Sequence, residues 1–192
     1  MLAVVGALVL GFFTNLLTLA VAFVGFFVYL VLYAFWKYRS FYGTLVGSIA
    51  GAVPPVVGYC AVSNRLDMGA LLLFLILVLW QMPHFFAIAI FRLEDYTKAN
   101  VPAYPIVKGL QKAKIRMVLY IIAFTAVSLL LTLFNYTGYI YFTAVLVLGF
   151  LWLALCLQGF NSTNDQLWGR RMFQLSLVLI AALSLIIPLD TV

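Results

Sequence analysis

Seven runs of apolar residues, separated by short polar breaks, occupy nearly the whole chain, at about 1–12, 16–36, 43–62, 69–91, 115–134, 138–159 and 170–188. Crossing a hydrocarbon core of ~30 Å takes about 20 helical residues at a rise of ~1.5 Å each. All the runs but the first reach roughly that length, and backbone inside lipid has to satisfy its own hydrogen bonds, which a helix does. The chain therefore reads as an all-α, polytopic transmembrane helical bundle of about seven spans. A water-soluble domain carries roughly 25% charged residues; with 67% hydrophobic and 8% charged residues and a mean hydropathy of +1.18, this chain is not a soluble globule. No composition shift or internal repeat divides it, so residues 1–192 read as a single transmembrane domain.

The net charge of +6 would suggest nucleic acid in a soluble protein. Here the basic residues lie between apolar runs, where they set orientation and touch anionic headgroups, so no nucleic-acid partner is expected and the lipid bilayer is. Alternate breaks face opposite sides of the membrane. The second, fourth and sixth hold Lys37, Arg39, Arg92, Lys98, Lys108, Lys112, Lys114, Arg116, Arg170 and Arg171, while the opposite side holds only Arg65. That asymmetry places residue 1 and the basic breaks at the cytoplasmic or matrix face. Cys60 and Cys156 lie in apolar stretches, match no metal or redox spacing, and read as buried small side chains. Met1 leads straight into LAVVGALVLGFF without the basic leader of a cleavable signal peptide, so the chain reads as one that begins inside a helix.

Pro54-Pro55 interrupt the third run, where two missing N–H donors force a kink or break. Gly43, Gly47 and Gly51 precede them at four-residue spacing, which fits both a close helix crossing and the lining of a substrate cavity. The stretch Trp80 to Tyr96 concentrates polar chemistry: the only histidine, His84, stands with Glu94 and Asp95 within twelve positions. On a regular helix His84 shares a face with Ile88, Arg92 and Asp95, about 12 Å inside the boundary. Intramembrane ionisable groups are costly, which makes function the default reading, although Arg92, Glu94 and Asp95 also fit the role of charges that mark a helix end.

Five ordered segments carry a resemblance: Tyr38-Arg39-Ser40-Phe41-Tyr42-Gly43-Thr44, Gly51 to Tyr59, Trp80-Gln81-Met82-Pro83-His84-Phe85, Asp95-Tyr96, and Pro102 to Gly109. In order and spacing they resemble the haem O synthases, a branch of the UbiA-type intramembrane prenyltransferases. The resemblance implies transfer of the farnesyl group of farnesyl diphosphate to a vinyl group of protohaem IX (haem B), with addition of water and release of diphosphate. It implies a bundle of nine spans with its catalytic face cytoplasmic, in a bacterial inner membrane or, alternatively, the mitochondrial one, and association with haem A synthase or terminal oxidase assembly.

Diphosphate leaves an allylic carbon only when its growing charge is neutralised, by Mg²⁺ on carboxylates and by basic donors. The resemblance makes Asp95, with Glu94, the expected magnesium ligands and Lys37, Arg39 and Lys108 the diphosphate contacts. Tyr42 and Trp80 are candidates to steady the allylic cation, or are ordinary packing. Trp80, His84 and Tyr96 are the expected farnesyl or haem contacts, and Asp95, His84 and Tyr42 the catalytic candidates. His84 stands for either a porphyrin or iron contact or an acid/base at the vinyl carbon.

One motif of the superfamily, N-x-x-x-D-x-x-x-D, has no counterpart, since no two aspartates of the chain are four apart. The first two helices and half the metal site are therefore expected upstream of Met1, and the chain alone is expected to be inactive. Rival readings are a prenyltransferase with a quinone precursor or chlorophyllide as acceptor, for which an acid is expected in place of His84, and a non-catalytic membrane, assembly or transport protein. A transporter would want charges or broken helices in both halves, and only the third and fourth runs carry them.

Overall fold

A computed structural model describes residues 1–191. The chain runs through α1 (Leu2–Phe13), α2 (Leu16–Phe27), a π-helical stretch (Val28–Tyr33) and α3 (Ala34–Trp36), then α4 (Gly43–Gly51) and α5 (Val53–Ser63). It continues through α6 (Met68–Phe91), α7 (Leu93–Lys98), α8 (Tyr104–Lys108), α9 (Leu110–Leu133), α10 (Tyr139–Gln158) and α11 (Asp165–Leu189). Six of the described units are long and apolar enough to cross a membrane: Leu16–Trp36, Gly43–Ser63, Met68–Phe91, Leu110–Leu133, Tyr139–Asn161 and Asp165–Leu189. The expected first span is a helix of 12 residues, about 18 Å long, which is short of a hydrocarbon core. The fold is a multi-pass membrane bundle.

Where the helix ends differ from the apolar runs, polar chemistry explains it. α9 and α11 each start five residues before the runs expected at 115 and 170. In α11 the Asn164 side chain accepts from the N–H of Leu167 at 2.9 Å, so the helix is capped outside the apolar zone. In the third run, α4 ends at Gly51 and α5 restarts at Val53 with proline in its first turn, where a missing N–H costs nothing. The expected continuous face from His84 to Asp95 does not form. Arg92, at φ −107° and ψ 36°, ends α6, and Asp95 sits on the separate helix α7.

α6 is the centre of the bundle, packed against α9, α11, α4, α5 and α8; α10 closes on α9 and α11, and α2 lies on α5. Fully buried Met117, Ile121 and Phe124 of α9 and Trp152 of α10 fill the larger core, with Phe124 and Trp152 edge to face at 5.7 Å. Without a hydrophobic drive inside lipid, such contacts hold helices by close packing. Gly169 shows how close: a Cβ there would lie 3.0 Å from the Phe91 nitrogen and 3.1 Å from the Ala87 oxygen of α6. Leu8, Phe23, Leu119 and Phe150 are among many apolar side chains left exposed, as a lipid-facing surface requires.

Asp67 fixes the start of α6 on the face that also holds Arg65. Its carboxylate accepts from Gly69 N–H (3.0 Å), Ala70 N–H (3.3 Å) and the Tyr59 hydroxyl (2.9 Å), tying α5 to α6. Burial pushes this carboxyl up, but the Tyr59, Ala70 and Gly69 donors outweigh it and hold the group below its ordinary range. A depressed folded value means stability that is present above the unfolded carboxylate value and is lost as pH falls through the folded one. Asp67→Ala is expected to lower unfolding stability by about 0.5–2 kcal/mol and to remove that acid-side loss, as followed by thermal unfolding in detergent at several pH values. An unchanged acid limb would show that the cap carries no such linkage.

Candidate functional site

A cavity of about 780 Å³ opens between α2 with its π-helical continuation, α4, α5, α6, α7 and residues 101–103. One wall is a ladder at four-residue spacing: Tyr29, Tyr33 and Lys37. The π-helical stretch, a distortion frequent at functional sites, carries the two tyrosines, whose rings stack at 5.5 Å. The facing wall is the glycine stripe of α4. A Cβ at Gly47 would lie 2.9 Å from the Tyr33 ring, one at Gly43 would lie 3.0 Å from the backbone of Lys37, and one at Gly51 would run into the Gln81 amide. The stripe therefore makes a close crossing and a cavity wall at once.

From α6 the cavity receives Gln81, Phe85, Phe86 and Ala89. Gln81 is buried, its amide donating to the carbonyls of Ser48 (3.3 Å) and Leu77 (3.2 Å), which holds α4 to α6. At the basic end stand Lys37, Ser40, Tyr96 and Pro102. The Lys37 ammonium is exposed, 5.7 Å from the Tyr33 ring and 5.3 Å from that of Tyr38. Tyr33 first and then Tyr38 hold it above its ordinary range, against a small opposing effect of burial. Burial, followed by Tyr33, pushes the Tyr96 phenol up, while Arg92 and Lys37 pull it down, so Tyr96 stays a neutral donor at neutral pH.

Of the residues singled out by sequence, the structure brings Lys37 and Tyr96 together in this cavity. Trp80 and His84 line neither cavity. They face α11, the Trp80 indole donating to the Ser176 carbonyl at 2.9 Å and stacking on His84 at 4.6 Å. His84 Nδ1 is 2.7 Å from Ser176 Oγ, whose hydroxyl donates to the Phe173 carbonyl at 2.6 Å. With the serine proton already used, Nδ1 carries the proton and Nε2 is the bare nitrogen. Arg39 lies over the Phe35 ring at 4.0 Å and lines no cavity either.

Tyr42 and Lys108 sit apart from Lys37, in a second cavity of about 260 Å³ with Arg116 and Tyr120. Glu94 and Asp95 are exposed on α7, beside Tyr96, and Asp95 makes only a loose 3.9 Å pair with Arg92. Magnesium usually takes one or two carboxylates and completes its shell with phosphate oxygens and water. Asp95, with most of its lone pairs unused, fits one such ligand; no cluster of three metal-ligating side chains occurs among the described residues.

A cavity of this size with a basic mouth, in an apolar bundle, suits a long apolar tail that ends in an anion. The sequence profile described as the UbiA prenyltransferase family matches residues 1–178. The chain belongs to that family. The match runs from the first helix into the last, and several similar proteins carry a more specific name. "Protoheme IX farnesyltransferase" of Protochlamydia amoebophila is 56% identical over 191 residues, covering 100% of this chain and 68% of the relative. The protein of the same name from Chromohalobacter salexigens is 49% identical, and "Protoheme IX farnesyltransferase 2" of Pseudomonas aeruginosa 50%, each covering 98% of the chain and 64% of the relative. The chain thus spans about two thirds of the length of these relatives. No solved structure matches it.

Sequence reasoning missed Tyr29, Tyr33 and Gln81 as members of the cavity. The four-residue spacing from Tyr29 through Tyr33 to Lys37, running down one helix face to a charge at the membrane boundary, was the available signal.

Proposed function

We propose that this UbiA-family chain works in transferring the farnesyl group of farnesyl diphosphate to a vinyl group of protohaem, giving haem O. The observation that carries the reading is the aromatic cavity with Lys37 at its mouth; the names of the similar proteins support the choice of substrates. The apolar cavity takes the farnesyl tail. The allylic C–O bond breaks, diphosphate leaves with the electron pair, and Lys37 and the Tyr96 hydroxyl donate where its charge grows. The vinyl π electrons close the new C–C bond, and the carbon left positive takes up water and releases a proton. The Tyr29 and Tyr33 ring faces stand where a transient allylic cation needs steadying, in a space whose apolar lining keeps water out until the bond is made. Asp95 and Glu94 would hold Mg²⁺, which when bound neutralises the departing diphosphate.

The site then works from the cytoplasmic face of a bacterial inner membrane. With Arg65→Cys and Lys112→Cys, both at exposed positions, an impermeant thiol reagent added to intact cells is expected to modify position 65 and spare position 112. The native Cys60 and Cys156 are buried and give little background. Labelling at 112 alone would invert the topology and move the site to the other face.

The direct test of function is chemical. A bacterium without its own haem O synthase, given the genomic region that encodes this chain, is expected to regain haem O among its extracted haems. Unaltered protohaem together with a newly prenylated quinone precursor would overturn the acceptor assignment.

A further inference from the structure

The second cavity, on the basic face between α4, α6, α8 and α9, has no role in the chemistry described above. It has about 260 Å³, below the ~300–1,000 Å³ that whole drug-sized ligands occupy, so it suits an end group and not a complete substrate. Its charge is of one sign. Lys108 stands 5.1 Å from the Phe41 ring and Arg116 5.2 Å from the Tyr104 ring, and no acidic side chain lines the space. Among the described residues the carboxylate pairs are Arg92 with Asp95 and Lys114 with Asp165, which leaves Lys108 and Arg116 without acidic partners. Two cations on aromatic supports, with the phenols of Tyr42 and Tyr120 beside them, form a donor set for carboxylate or phosphate oxygens.

The partition from the prenyl cavity is thin: Phe86 lines both spaces and is stacked on Tyr104 at 5.1 Å. We propose that this second cavity, through Lys108 and Arg116, anchors the carboxylates of the prenyl acceptor while the acceptor's apolar edge meets the farnesyl chain beyond Phe86. The proposal rests on protohaem as acceptor, a molecule with vinyl groups on one edge and two propionates on the opposite edge. It moves Lys108 from the leaving group, the role expected from sequence, to the acceptor. An arginine fork and a lysine point charge on the propionates fix which edge of the macrocycle enters the prenyl cavity.

The test compares protohaem with its dimethyl ester, in which the same macrocycle has lost both charges. The protein expressed from the genomic region that encodes this chain is placed in nanodiscs and titrated with each, and binding is followed by the Soret band and tryptophan quenching. Protohaem is expected to bind at least about tenfold more tightly than the ester, and Lys108→Gln or Arg116→Gln to remove most of that preference while leaving ester affinity unchanged. The ester serves as the folding control, because a misfolded variant loses both ligands. Equal binding of acid and ester by the unaltered chain would overturn the proposal and leave haem as the acceptor; binding of neither would overturn the acceptor reading itself. Two further arms separate the other sources of anionic oxygen. If the two variants weaken farnesyl diphosphate binding, or release co-purified phosphatidylglycerol, while the acid-to-ester preference persists, the pocket belongs to the leaving group or to a lipid headgroup and the proposal fails.

Discussion

Lys37→Met is expected to lower prenyl-transfer turnover by roughly 10²–10³-fold, the range found when one donor to a developing oxyanion is lost, with little change in the amount of folded protein. The side chain is exposed at the cavity mouth, so its removal leaves no hole in the core. Its ammonium is also the cation that lines the prenyl cavity, and Tyr33 and Tyr38 favour its charged form. The loss should fall mainly on kcat, since the diphosphate gains charge only as the C–O bond breaks. Arg39→Met is the control. Its guanidinium stacks on Phe35 and lines neither cavity, so a loss below about tenfold is expected. Steady-state rates of haem O formation in membranes carrying each variant, expressed from the genomic region that encodes the chain, decide it, and an Arg39 effect equal to that of Lys37 would remove Lys37 from its special position.

The architecture was legible because the membrane writes it in one dimension. Run length gave six of the seven expected spans, the first run proving too short, and the side-to-side split of Lys and Arg is what the topology proposal rests on. The start of α9 was not legible from hydropathy, because the helix runs on through Lys112 and Lys114 before the apolar stretch begins. The break at Arg92 carries no glycine or proline to announce it; the backbone leaves helical angles there, at φ −107° and ψ 36°, and the expected His84–Asp95 face goes with it. Tyr29 and Tyr33 were hidden for a different reason. Aromatic residues in an apolar helix look the same whether they face lipid or a cavity, and only the glycine stripe across from them, itself visible in the sequence, makes the space they line. Charge counting groups Lys37 with Lys108, but in the fold they fall into separate cavities on either side of Phe86.

Lys114 illustrates the same limit, since among the residues of the basic breaks it reads as one more headgroup contact. In the fold it is 2% exposed. Its ammonium donates to Asp165 Oδ1 at 2.6 Å and to the Gly159 carbonyl at 2.7 Å, and lies 5.3 Å from the Trp168 ring. The pair joins α9 to the start of α11 through the turn that follows α10. Such a pair contributes little over an apolar replacement, but breaking it from one side strands a charge that water cannot reach. Asp165→Asn is therefore expected to cost about 3 kcal/mol, the lower end of the range for buried pairs, because the carboxylate side is 27% exposed and some solvent can enter. Lys114→Met, which removes the charge and keeps most of the volume, should cost less, and the double variant less than the sum of the two. Lys112→Met, at an exposed neighbouring position, should stay within about 0.5 kcal/mol of the parent. Thermal unfolding in detergent measures all four. If Lys114→Met proves as damaging as Asp165→Asn, the ion pair itself, and not the stranded ammonium, is what holds α9 to α11.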